Sequence, residues 1–200
     1  MKRKRVVESF RSAAEAIGPL EPGMSLFAVT RGQWSMIDAI FHCLAETGPA
    51  NLSVWTWTIA DYEIEAMGGL MARQELLSGT LVIDQSADRR NASTIDKWRG
   101  RFGPESVRIC KNHAKIARVW NRDLRLLLRG SMNLNFNPRF EQFDLTEGGE
   151  DFALVERLEH ELPVLPRKYS NAEVEAATKV SQAFERQQLE MFRGVKVWAK

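Results

Sequence analysis

Apolar residues recur along the chain in two rhythms, one of strands and one of helices. Residues 23–30, a compact run with Leu26, Phe27 and Val29, have the length and composition of a buried strand. Met36, Ile37, Ile40, Phe41 and Leu44 then recur three and four apart, predicting a helix over 33–46 with one face on a sheet, stopped by Gly48-Pro49. Residues 51–58 pair alternation with β-favouring Val54, Trp55 and Trp57 and read as a second strand. Asp61 fits a helix N-cap ahead of residues 62–77, although Gly68-Gly69 interrupts that helix. Residues 80–84 form a third strand, and 93–102 a helix closed by Gly103-Pro104. Strand and helix alternating three times imply parallel strands with helices on the sheet.

The rhythm changes after residue 105. Residues 106–110, 113–120 and 124–130 are strand-like with brief polar breaks, and Asn121-Arg122-Asp123 has the character of a hairpin turn. A further strand is expected at 143–146 and a helix at 150–161. Pro163 and Pro166 mark a linker before a long helix over 171–192, whose thin apolar seam is Val174, Ala177, Val180, Phe184 and Met191. Ahead of the first strand, residues 5–17 suggest a short helix ended by Gly18-Pro19. The expected organisation is a basic N-terminal segment with a short helix (1–22), one α/β domain (23–165) and a C-terminal helix (166–200).

Composition adds little until it is divided. The 200 residues, 44% hydrophobic and 27% charged, suit one soluble domain, and no apolar run approaches the ~20 residues of a membrane-spanning helix. The basic start, Lys2 to Arg5, leads into no apolar signal core, so a cytoplasmic location without membrane attachment is expected. Cys43 and Cys110 sit in apolar stretches without CxxC spacing, and the three histidines lack zinc-ligand spacing, so neither a metal nor a cofactor is expected. The formal charge of +2, however, conceals residues 89–139, where 13 Lys and Arg face 3 Asp and Glu. Such a block suggests a polyanionic partner, with a solvated basic face as the plainer explanation.

Within that block lie His113-Ala-Lys115 and, after the hairpin, Gly130-Ser131-Met-Asn133. Two residues apart in a strand, His113 and Lys115 share a face. Lys115 and Asn133 suit the non-bridging oxygens of a phosphate, Ser131 adds a hydrogen bond, and a neutral His113 is a nucleophile for phosphorus. Taken singly, each has an ordinary structural explanation; their order and spacing give them weight together.

The pattern resembles the HxK…GSxN half of the phospholipase D superfamily motif, and the likeness extends over roughly residues 23–147, including Leu52 to Glu63 and Leu81 to Asp84. The resemblance implies a mixed β-sheet sandwiched between helices, with a C-terminal helical extension in this chain. It also implies a homodimer, because one motif copy per chain requires two to meet, one histidine attacking phosphorus and the other protonating the leaving group. Carried over, the catalytic set is His113, Lys115, Ser131 and Asn133, with Glu141 resembling the acid that orients the histidine in nucleases of the family. The family's aspartate five positions after the lysine is replaced by Trp120.

The leading expectation is therefore a metal-independent phosphodiesterase, a nuclease acting on DNA, with Arg89, Arg90, Arg118, Arg122 and Arg139 contacting the nucleic-acid backbone. The alternative is a catalytically weak nucleic-acid-binding or assembly protein that keeps the fold and phosphate pocket. Trp120 and the long C-terminal helix favour that alternative.

Overall fold

In a computed structural model, residues 4–8, 11–134 and 139–178 are described. Strands β1 (Lys4–Glu8), β2 (Ser25–Thr30), β3 (Ala50–Thr56), β4 (Leu76–Asp84), β5 (Val107–Cys110), β6 (Ile116–Trp120), β7 (Arg125–Gly130) and β8 (Glu141–Glu147) form one sheet. Their order is β1-β2-β8-β7-β6-β3-β4-β5. Helices are α1 (Ala13–Ile17), α2 (Met36–Thr47), α3 (Asp61–Ala72), α4 (Gln85–Arg90), α5 (Ala92–Phe102), α6 (Glu150–Glu161) and α7 (Asn171–Thr178).

Parallel pairing is confined to β1 with β2 and to the run β3, β4, β5, while β6, β7 and β8 are joined antiparallel to their neighbours. The expectation of parallel neighbours thus holds for β3 and β4, with β5 joining them in parallel, but β2 is not a neighbour of β3. Three later strands stand between them. Because only β6 and β8 run against the rest, β3, β4, β5 and β7 all end at one edge of the sheet, where β6 and β8 begin.

Helices cover both faces. Leu52, Val54, Leu81, Ile83, Ala117 and Leu128 belong to one large core with Ile40 and Leu44 of α2, Ile64 and Met67 of α3 and Trp98 of α5. The opposite face holds a smaller cluster, Leu127 against Phe152 and Val155 of α6, with Trp55, Ile116 and Trp120 packed around it. Each strand's alternation therefore serves two cores, which is the sandwiched mixed sheet expected from the sequence.

Several boundaries differ for local reasons. Residues 4–8 form an edge strand rather than the first turn of a helix: Val7 is buried and Val6 exposed, the period of two that a strand requires, and among the described residues of this segment helix is confined to Ala13–Ile17. Lys4–Glu8 therefore belongs to the sheet and is not an appendage to it. Asp61 is the first residue of α3, not its cap; the Ala60 N–H donates to Glu63 Oε2 at 3.0 Å, and Asp61 instead binds Thr94 and Lys97 of α5. Of the glycine pair within α3, Gly68 lies against Arg101, where a Cβ would come within 2.5 Å of Nη1, whereas a Cβ on Gly69 would make only an ordinary contact. Strand β4 begins at Leu76, four residues earlier than expected. Cys43 and Cys110 are buried free thiols; burial, with Asp84 nearby, pushes the Cys110 thiol up to about 12. The expected helix over 171–192 is described only to Thr178, where Val174 and Ala177 are buried, and the rest of its seam lies outside the described residues. Among the described residues no helix is long and apolar enough to cross a membrane.

Candidate phosphate site at the carboxyl edge of the sheet

The edge where β3, β4 and β5 end is where open parallel sheets present ligands, because side chains there fan out beyond the last strand hydrogen bonds. Asn112 organises it. Asn112 is only 5% exposed and donates from Nδ2 to the Thr56 carbonyl at the end of β3 at 3.0 Å and to the Val82 and Ala114 carbonyls at 3.4 Å. Its Oδ1 accepts from the Ala114 N–H at 2.9 Å, and its own N–H donates to Asp84 Oδ2 at 3.0 Å. Residues 112–115 are thus pinned to the ends of β3 and β4 before the chain enters β6. Strand pairing proper begins at Ile116, so His113 and Lys115 stand on the extended approach to β6 rather than within it.

His113 is exposed and Lys115 half-buried. The Lys115 ammonium lies 3.2 Å from Nδ1 and 3.1 Å from Nε2 of the His113 ring, and donates to the His113 carbonyl at 2.7 Å. Burial lowers the Lys115 pKa from its ordinary value, with Glu141 opposing that shift.

The Gly-Ser-x-Asn segment is brought alongside by β7. The Gly130 N–H donates to the Lys115 carbonyl at 3.1 Å, and the Ser131 N–H to the Gln142 carbonyl at 3.0 Å. Position 130 requires glycine because a Cβ there would lie 2.3 Å from the Gln142 carbonyl oxygen. Ser131 Oγ donates to Glu141 Oε2 and accepts from the Gln142 N–H at 2.9 Å. Asn133 is half-buried, and its Oδ1 is buried with no hydrogen-bond partner among the described residues. An unpaired buried oxygen costs about 1–3 kcal/mol, and turning the amide over would present Nδ2 to an anion. Thr56 Oγ1 accepts from the Leu134 N–H at 3.4 Å, fastening the segment after Asn133 to the end of β3. An open depression of about 580 Å³, lined by Ala114, Lys115, Ile116, Arg129, Gln142 and Asp144 among others, adjoins this cluster.

This geometry bears on three expectations, and it overturns the one for Arg118. Glu141, expected to orient His113, gives its carboxylate to Ser131, and among the described residues makes no hydrogen bond to the imidazole. Arg118, expected as a nucleic-acid contact, is 1% exposed: it pairs with Glu156 at 3.2 Å and Glu159 at 2.9 Å and lies over Trp120 and Phe152 beneath α6. It points to the opposite face of β6 from Ala117 and Val119 and cannot reach a ligand. Arg122 is exposed in the β6–β7 turn, at the far end of β6 and seven residues from Lys115, or roughly 20 Å along the sheet.

The other arginines lie nearer. Arg90 is exposed, with its guanidinium 5.1 Å from the ring of Trp57. Arg89, also exposed, donates to Asn171 Oδ1 at 2.6 Å and lies over Tyr169. Arg139 is exposed two residues before Glu141.

The basic block is much less bare than its sequence suggests. Lys97, Arg99, Arg101, Lys111, Arg118, Arg125 and Arg129 are each paired with a carboxylate from an acidic flank or from within the block. Sequence reasoning missed Asn112, Asp84 and Thr56, whose polar side chains support the site. Position gave one clue: Asn112 directly precedes His113.

No protein-family model matches the chain, and no curated protein does. Similar solved structures include polyphosphate kinase from Porphyromonas gingivalis, at 15% identity and a TM-score of 0.48, covering 85% of this chain and 32% of that one. Another is phosphatidylserine synthase from Haemophilus influenzae Rd KW20, at 14% identity and a TM-score of 0.49, covering 84% of this chain and 47% of that one. The chain spans about a third of the length of the first and about half of the second. At such identities a likeness concerns the fold alone, and with both scores under 0.5 it carries no argument about activity.

Proposed function

We propose that this chain is a metal-independent phosphodiesterase that cleaves nucleic acid, DNA foremost, as a homodimer of phospholipase D-like subunits. The observation that carries the proposal is the convergence of His113, Lys115 and the Ser131–Glu141 pair at one sheet edge, fixed by backbone hydrogen bonds from three strands. An imidazole beside an ammonium, with hydroxyl and carboxamide groups following, can bind a phosphate and attack it without a metal.

In the proposed reaction an imidazole nitrogen of His113 bonds to phosphorus as the ester P–O bond breaks. The leaving alkoxide takes its proton from the imidazolium of a second copy's His113. That second imidazole then removes a proton from water, the water oxygen bonds to phosphorus, and the phosphohistidine bond breaks. Lys115 donates to the non-bridging oxygens throughout, leaving its present contact with the ring as phosphate enters.

The substitution that separates this chain from the family pattern lies elsewhere. Trp120 packs against Phe152 and Arg118 at the opposite end of β6, on the α6 side of the sheet, so it removes no group from around the phosphate. This supports chemistry over the binding-only reading.

The test is cleavage of plasmid and single-stranded DNA in EDTA by wild type and by the His113→Ala variant. Cleavage by wild type alone is the expected result. Binding without cleavage by either would replace the proposal with the nucleic-acid-binding reading, and a strict monomer in solution that still cleaves would remove the two-histidine mechanism.

A further inference from the structure

Trp55 and Trp57 are two residues apart in the chain, yet their surroundings differ. Trp55 belongs to the α6 core, donating Nε1–H to Glu159 Oε2 at 3.0 Å. Trp57 stands one residue beyond the end of the strand and remains 37% exposed. Its ring centroid is 6.2 Å from that of His113, with the planes inclined at 55°, so the two rings adjoin without stacking. The Arg90 guanidinium lies over the Trp57 ring at 5.1 Å, and Arg90 makes no ion pair among the described residues. An aromatic surface, an uncompensated cation and the proposed nucleophile thus occupy one rim.

Resting on the phosphodiesterase reading, we propose that Trp57 and Arg90 form a subsite for one unpaired nucleobase next to the phosphate held at His113. A nucleotide carries its base and phosphate on one sugar, so a ring adjacent to the nucleophile is placed to receive the base beside the scissile ester. Every base offers a π-face, which makes such a platform tolerant of sequence, and Arg90 adds attraction both for the base plane and for a neighbouring phosphate. A paired base inside a duplex is already stacked and cannot use the ring. The substrate class that follows is single-stranded nucleic acid, or a strand end or loop with an unstacked base.

The test measures binding in the His113→Ala background, which stops turnover, by fluorescence anisotropy at low salt in EDTA. The ligands are a 12-nucleotide single strand, the same strand with abasic sugars throughout, and its duplex. Trp57→Ala is expected to weaken the base-bearing strand roughly ten-fold or more and to leave the abasic strand and the duplex unchanged. Trp57→Phe should recover much of the loss, and Arg90→Gln should weaken both single strands. Equal loss on the normal and abasic strands, or no loss on either, overturns the subsite even if wild type still cleaves DNA in EDTA. If no strand binds, the subsite also falls; cleavage by wild type then decides separately whether the phosphodiesterase reading falls with it.

Discussion

Replacing Asn112 by alanine tests whether the end of β3 holds the proposed nucleophile, His113, in place. The variant loses two well-formed hydrogen bonds, to the Thr56 carbonyl at 3.0 Å and from the Ala114 N–H at 2.9 Å, and two longer ones at 3.4 Å. With Asn112 buried, the partners are left in poor contact with water. At about 1–3 kcal/mol for each buried group left unpaired, the two strong contacts imply a loss of about 2–6 kcal/mol. For a chain of this size that lowers Tm by roughly 4–24 °C. A functional loss should exceed what unfolding explains, because His113 is the very next residue. A shift of about 1 Å in a reacting group costs on the order of a hundred-fold in rate. The assay is DNA cleavage in EDTA at a temperature well below the variant's Tm, with the folded fraction measured by circular dichroism. We expect kcat to fall at least ten-fold while KM changes little. An unchanged Tm would refute the hydrogen-bond argument, and a lowered Tm with unchanged kcat per folded molecule would show that Asn112 holds the fold without positioning His113.

Arg118→Ala leaves Glu159, only 5% exposed, without its cation and should cost about 3–5 kcal/mol in urea unfolding, while the salt dependence of DNA binding by the folded protein stays at the wild-type slope. A reduced slope with unchanged stability would restore Arg118 to the nucleic-acid surface. Gly130→Ala forces a Cβ toward the Gln142 carbonyl oxygen and should cost about 1–3 kcal/mol, with turnover lost as Ser131 is displaced; wild-type stability and turnover would contradict the close approach. The lowered Lys115 pKa has a defined sign: burial disfavours the ammonium, so the folded group loses its proton below the ordinary 10.5, and anion affinity should fall as pH rises through that lowered value. Lys115→Arg should move the alkaline limb upward, and an identical limb in both proteins would assign it to another group.

How far the sequence carries depends on whether a feature is local. The helix of α2 could be read from spacing alone and its stop at Gly48 held, but it begins at Met36 rather than 33, where the Ser35 N–H and Oγ–H bind Asp38 Oδ2 at 2.7 Å. Strands β2 to β4 were equally legible because each is a short apolar run answered by the next helix. Strand β1 was not, since five residues beginning Lys-Arg gain strand structure only through pairing with β2, some twenty residues on. The insertion of β8 between β2 and β7 is likewise a tertiary choice. Its register sets Thr30 opposite Glu141 and Gly130 opposite Phe143, thereby bringing Glu141 to Ser131. No hydrophobic period encodes that meeting.

Charge misleads for a related reason. Along the chain, residues 89–139 are strongly basic; in space, their partners come from segments counted as acidic. Asp61 and Glu65 of α3 take Lys97 and Arg101, while Asp151, Glu156 and Glu159 of α6 take Arg129, Arg125 and Arg118. The apparent basic patch is thus largely one half of ion pairs that join helices to one another and to the sheet. Most of these pairs are exposed, so each adds little stability, but each still cancels a charge that a polyanion would otherwise meet. Arg90 and Lys115 escape this cancellation among the described residues and stand beside the ring of Trp57 and that of His113. The electrostatic case for nucleic acid therefore rests less on the total of ten excess charges than on two cations at the edge where the phosphate chemistry is proposed.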